Sequence, residues 1–340
     1  MNKRIFALLV TSLLIASIGL NGAESGGKAV QRLDPALDKI ISPNAKLEML
    51  KEGVFGISEG PVWIRDGQYL LFSDIAANVI YKWTPNDRQL SVFLKDSGYT
   101  GDLNKVALQG YLARSGPLFI FDFGSNGITL DPQGRLVFCA QGDRAIVRLE
   151  KDGTRTVLAD RYEGKRLNRP NDLVVKSDGT VYFTDPNPNT PSMELPDSAV
   201  FMIKEGKVEM LPVKGIRPNG LALSPDEKIL YVNGGKTIHA YDVRSDGNVQ
   251  NDRMWIDMNS DKTPGGTDGM KIDRQGNVYC TGPGGIWIVD PSGKHIGTIS
   301  LPEPATNLAF GDADYKTLYI TDRRHLMRIR LVATGIAPGR

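Results

Sequence analysis

The stretch RLNRPNDLVVKSDGTVYFTDP, residues 166–186, has a near echo in IRPNGLALSPDEKILYVN, residues 216–233. In both, Arg-Pro-Asn leads into a short apolar run, a polar turn and an alternating run that reads as a β-strand. A motif returning after about one supersecondary unit is the mark of a repeat architecture. The same order appears in four further places: SEGPVWIRDGQYLLFSD from Ser58, SNGITLDPQGRLVFCAQ from Ser125, TDGMKIDRQGNVYCTG from Thr267 and TNLAFGDADYKTLYITD from Thr306.

In each copy one polar residue enters the first strand. These are Glu59, Asn126, Asn171, Asn219, Asp268 and Asn307, at gaps of 67, 45, 48, 49 and 39. A propeller blade of four strands takes about 40–50 residues. The long gap holds one insertion, 96–125, rich in Gly and aromatic residues, which is placed to act as a lid over the site or to run as a plain surface loop. Two more strand candidates follow each copy, and no stretch of the mature chain has sustained helical periodicity. The expectation is an all-β, six-bladed β-propeller with four-stranded blades. The sixth copy supplies only three strands. AKLEMLKE, residues 45–52, is expected to provide the fourth and close the ring, since an open ring leaves exposed strand edges.

Composition agrees. The 340 residues are 41% hydrophobic and 24% charged, and 37 Gly with 20 Pro favour turns over long helices. The segment MNKRIFALLVTSLLIASIGLNGAES has a basic start at Lys3 and Arg4, an apolar run from Ile5 to Leu20 and small residues at Gly22 and Ala23. It reads as an export signal over 1–23, and sixteen residues is short for a membrane anchor. No Cys lies near it for lipid attachment. A flexible leader over 24–44, a propeller over 45–332 and a tail over 333–340 complete the expected layout, in a periplasmic or secreted protein that leaves the membrane after cleavage. Loss of Lys3 and Arg4 brings the formal charge of +2 close to zero, which argues against nucleic acid as partner. Oligomeric state is not legible.

Cys139 and Cys280 occupy the same strand in the second and fifth copies, roughly opposite in a ring, beyond the ~7 Å Cα reach of a disulfide. Both are expected as buried thiols. His239, His295 and His325 fall in outer strands, so no Ser-His-Asp triad has a candidate at the channel. Asp74, Asp185 and Asp322, which end second strands, are expected as turn caps.

In a propeller the entering residue of each inner strand lies at one channel mouth. The six key residues therefore converge, although any one of them alone has the simpler reading of a local backbone cap. Two carboxylates and four amide oxygens form a hard, all-oxygen set that suits Ca²⁺ best. Mg²⁺ and Mn²⁺ fit the same cage, and Zn²⁺, poorly matched in softness, is a further alternative.

The segments SEGPVW, GKRLNRPNDLVVKSDGTVYFTDP, PNGLALSPDEKILYVN and TDGMKIDRQGNVY resemble those of the gluconolactonase and regucalcin-type lactonase family, across about 50–330. That resemblance implies one divalent metal in the channel, held by Glu59, Asn171, Asn219 and Asp268, and hydrolysis of a sugar lactone. It implies a substrate contact at Arg169, where many bacterial members have Ser. Asn126 and Asn307 become supporting or substrate-contacting residues. With a metal polarising the lactone carbonyl, Asp268 is the candidate base or water-orienting group. Asp172 joins Arg169 and Asn126 as a substrate-binding candidate, placed either to orient its neighbour Asn171 or simply to cap the strand. A broader lactonase or phosphotriesterase-like hydrolase, and a propeller that only binds a ligand or protein, are the competing readings.

Overall fold

Each copy of the repeat folds as an antiparallel meander because its turn is built in. Asp131 accepts hydrogen bonds from the backbone N–H of Gln133 (3.0 Å) and Arg135 (2.9 Å), and Asp273 does the same for Gln275 and Asn277 (2.9 Å each). These Asx turns reverse the chain between the first and second strands. Gly134 and Gly276 sit in them at φ of 73° and 87°, conformations that glycine adopts without strain.

The computed structural model describes residues 29–53, 55–102, 112–115, 118–121, 123–186 and 193–339. The strands form six blades around a central channel, four of them running from inner to outer edge in chain order and the fifth and sixth taking an outermost strand from the start of the chain. The inner strands are Ser58–Ile64, Ser125–Leu130, Leu173–Val175, Leu221–Leu223, Met270–Ile272 and Ala305–Gly311. Each neighbours the next, and the last returns to the first. The core lies between the faces of adjacent blades, not along one axis. Val62, Leu71 and Ile80 of blade one meet Ile128 and Phe138 of blade two, and Trp63 stacks on Tyr319 of blade six at 5.5 Å.

The ring closes as expected. Leu47–Glu52 pairs antiparallel with His325–Arg330, Leu47 opposite Ile329 and Met49 opposite Met327, and completes blade six. The first and last parts of the chain thus share one sheet.

Two segments differ from expectation. The region read as a flexible leader carries a strand, Val30–Arg32, added to blade five with Val30 opposite Ile299. A 3-10 turn, Pro35–Lys39, follows, capped by the Asp34 carboxylate on the Ala36 N–H (2.7 Å). Leu37, Ile40 and Ile41 are buried, which ties the segment down. The region read as a tail is also docked: Arg274 N–H donates to Thr334 O (2.9 Å), and Gly335 bridges Asp273. Short apolar runs in polar surroundings gave no periodic signal in either place.

The export signal at 1–23 lies outside the described residues. So do 103–111, 116–117 and 122 of the insertion 96–125, for which a lid or a plain surface loop is expected. The described part of the insertion includes a two-stranded hairpin, Leu112–Ser115 with Leu118–Phe121. Among the described residues no helix is long and apolar enough to cross a membrane. Both cysteines are free and buried.

Candidate active site

The repeated Arg-Pro-Asn motif puts both Asn residues at one register. Asn171 N–H donates to Thr184 O and Asn219 N–H to Asn233 O, each at 2.8 Å, in the last rung between the first two strands of a blade. The end of the second strand holds the approach to it. Asp185 accepts from the N–H of Asn168 (2.7 Å) and Arg169 (2.5 Å), while Asp74 accepts from Gly56 N–H (3.0 Å). Asp322 accepts from Arg324 and His325 N–H at 2.8 and 2.7 Å. The three strand-end aspartates are therefore loop caps.

All six key residues meet at one mouth of the channel. Asn126 Nδ2 donates to Asn171 Oδ1 (2.7 Å), and Asn171 Nδ2 donates to Asn219 Oδ1 (2.5 Å). The Asn219 side chain in turn hydrogen-bonds Asp268. On the other side Asn307 Nδ2 faces Glu59 Oε2 (3.0 Å) and Asp172 Oδ2 (3.4 Å). Glu59, Asn126, Asp172 and Asn307 are buried, and Asn171, Asn219 and Asp268 are half-buried at the mouth.

Close approach of the inner strands explains a further pattern. The residue after the key position is glycine in four copies: Gly60, Gly127, Gly220 and Gly269. A Cβ on Gly220 would lie 2.1 Å from Asp268 O, and one on Gly269 would lie 2.1 Å from Asn307 Cγ. A side chain at either place would push the neighbouring key residue aside.

Three carboxyl groups crowd this mouth. Glu59 is pushed up to about 7, first by burial and then by the charge of Asp172. Burial raises Asp172 too, opposed chiefly by Lys271. Asp268 is raised well above the usual carboxylate range by burial and then by the charges of Glu59 and Asp172. Like charges held together disfavour ionisation, and a cation among them reverses that.

The donor set fits a hard divalent ion. Its atoms are carboxylate and amide oxygens, and Asn126 Oδ1 is buried with no hydrogen-bond partner. Among the described residues no three His, Cys, Asp or Glu side chains are arranged to hold a metal by themselves, so the amide oxygens are needed.

Beside this cluster opens a pocket of about 350 Å³, lined by Gln141, Arg169, Asn171, Pro186, Arg217, Pro218, Asn219 and Gly235. Arg169 and Arg217 each stand two residues before one of the two Asn residues. Gln141 Oε1 is buried there without a partner. Gln141 and Arg217 were not singled out by sequence reasoning. The doubled Arg-Pro-Asn motif is the available signal for Arg217, whereas Gln141 ends its copy where the next has Pro186, so no repeated residue type marks it.

Asn233 was also missed. Its Oδ1 accepts from Gly220 N–H (3.0 Å), and its Nδ2 donates to Asp268 O (2.7 Å), joining blades four and five behind two key residues. Below the mouth the channel holds a small apolar cavity of about 90 Å³ between Val62, Ile128, Leu173, Leu221 and Phe310, with Ile336–Gly339 at its foot. Thr129, Glu227 and Lys271 are its polar lining. The three histidines are in outer strands, as expected: His239 by Asp252, His295 stacked on Trp287 at 3.6 Å, and His325 by Asp322.

Comparison with known proteins places the chain. The SMP-30/Gluconolactonase/LRE-like region model matches residues 57–324. A gluconolactonase of Zymomonas mobilis subsp. mobilis is 33% identical over 347 residues, covering 97% of this chain and 93% of that protein. Regucalcin of Xenopus laevis is 26% identical over 292 residues, covering 81% and 86%. The solved gluconolactonase of Xanthomonas campestris superposes with a TM-score of 0.75 at 30% identity, over 90% of this chain and 96% of that one. The match runs from the entry to Glu59 to the turn after Asp322, taking in five blades and the two inner strands of the sixth, so the chain belongs to the SMP-30/gluconolactonase/LRE-like family.

Proposed function

We propose that the protein is a gluconolactonase-like lactonase that opens a sugar lactone, such as glucono-1,5-lactone, to its hydroxy acid. The observation that carries this reading is the convergence of Glu59, Asn171, Asn219 and Asp268 beside a pocket rimmed by Arg169 and Arg217. The likeness to two proteins named gluconolactonase, at 33% and 30% identity, supports the substrate class. The composition of residues 1–23 supports export to the periplasm or beyond.

In this reading Glu59, Asn171, Asn219 and Asp268 hold one divalent ion, with Ca²⁺ the best match to the oxygen set and Mg²⁺, Mn²⁺ and Zn²⁺ the alternatives. A bound ion supplies Lewis acidity toward the lactone carbonyl. The chain's own groups do the rest. Arg169, Arg217 and Gln141 fix the sugar by its hydroxyl groups. Asn126 offers its free Oδ1 at the rim. Asn307 holds Glu59 through its Nδ2, which also reaches Asp172. Asp268 accepts a proton as water attacks the carbonyl carbon, and returns it to the ring oxygen when the C–O bond breaks.

The test is hydrolysis of a panel of aldonolactones by purified protein and by Asp268→Ala. The variant is expected to lose at least about a hundredfold in kcat/KM, in the range of a lost general base, with its thermal melt still cooperative. Chelator treatment is expected to remove activity, and one of the four ions to restore it. Parent-like hydrolysis by Asp268→Ala would refute the assignment.

A further inference from the structure

Glu59, Asp172 and Asp268 together carry one negative charge more than a divalent ion neutralises. Lys271 stands three residues after Asp268, on the inner strand Met270–Ile272, and lines the channel. Its Nζ donates to Met270 O (3.1 Å) and to Asn307 Oδ1 (3.3 Å). Asn307 Oδ1 also accepts from Leu308 N–H at 2.9 Å. With its oxygen used twice, the amide must turn Nδ2 toward Glu59 and Asp172, where it lies at 3.0 and 3.4 Å. One ammonium group is thus a single amide away from two of the three acids. Arg323 acts on Asp268 from an exposed position, and Arg169 and Arg217 line the pocket on the side of Asn171 and Asn219.

We propose that Lys271 sets the charge of the ion that the channel mouth accepts. Three carboxylates and one ammonium leave two negative charges, the complement of a divalent ion. Remove the ammonium, and the same oxygens present three. Repulsion between Lys271 and a bound ion grows with the ion's charge, so it penalises a trivalent ion half as much again as a divalent one at the same site. Lys271 is a positioning residue in this role, acting through Asn307 and through its own field. The inference rests on the divalent-metal reading above.

The experiment measures binding, not turnover. Metal-stripped parent protein, Lys271→Met and Lys271→Arg are titrated with Ca²⁺ by calorimetry and with Tb³⁺ by luminescence, Tb³⁺ being close to Ca²⁺ in size but higher in charge. Lys271→Gln replaces the Met variant if the latter fails to melt cooperatively. The preference for Tb³⁺ over Ca²⁺ is expected to rise about tenfold or more when the charge is removed and to stay near the parent value in Lys271→Arg. An unchanged preference in the neutral variant overturns the proposal. So does an equal loss of affinity for both ions, because Lys271 would then only prop Asn307. Parent protein that binds neither ion overturns the metal reading itself, and this inference with it.

Discussion

At Glu59 the fold holds a carboxyl group in a setting that opposes its charge. Burial and the neighbouring Asp172 push it from 4.5 up to about 7. A carboxyl that binds its proton more tightly folded than unfolded favours the fold below its unfolded pKa and loses that contribution as pH rises through the folded one. The metal-stripped protein is therefore expected to lose stability between about pH 4.5 and 7, by on the order of 3 kcal/mol for this group. A divalent ion reverses the effect, since it favours the ionised form. Urea unfolding at several pH values, with and without metal, checks this: the stability difference between the two conditions should widen with pH. Glu59 itself was legible in SEGPVW, because the repeat register singles it out. Gln141 and Asn233 were not. One stands at a register position where the next copy has Pro186, the other acts through a backbone carbonyl of the next blade, and neither relation leaves a repeated residue type in the linear chain.

At the level of strands and turns, the paired key residue and glycine record how closely the six inner strands approach one another. Gly269→Ala places a methyl group 2.1 Å from Asn307 Cγ, so Asn307 must move away from Glu59 and Asp172. The expected result is a loss of at least about tenfold in divalent-ion affinity and a loss of about 1–3 kcal/mol in stability, as for other overpacked sites. Calorimetry and denaturant melts on the same sample measure both. The Val30–Arg32 strand and the turn after it make a second case. Leu37 is fully buried against blades five and six. Leu37→Ala is expected to cost about 2–5 kcal/mol, measurable by urea unfolding, although 24–44 read as a leader. The six blades were visible because each repeats a pattern. Residues 30–41 occur once, and a segment that borrows its partner strand from a finished sheet has no periodicity of its own to detect.

For the molecule as a whole, the order of the blades follows from the spacing of the copies, and the closure of the ring follows from a missing strand in the last copy. Both are legible in the sequence. The foot of the channel is not. Ile336–Gly339 lies under the small apolar cavity, while the oxygen cluster and the arginine-rimmed pocket share the opposite end. In the proposed lactonase, substrate and product share the arginine-rimmed opening, so accumulated hydroxy acid is expected to compete with fresh lactone for Arg169 and Arg217.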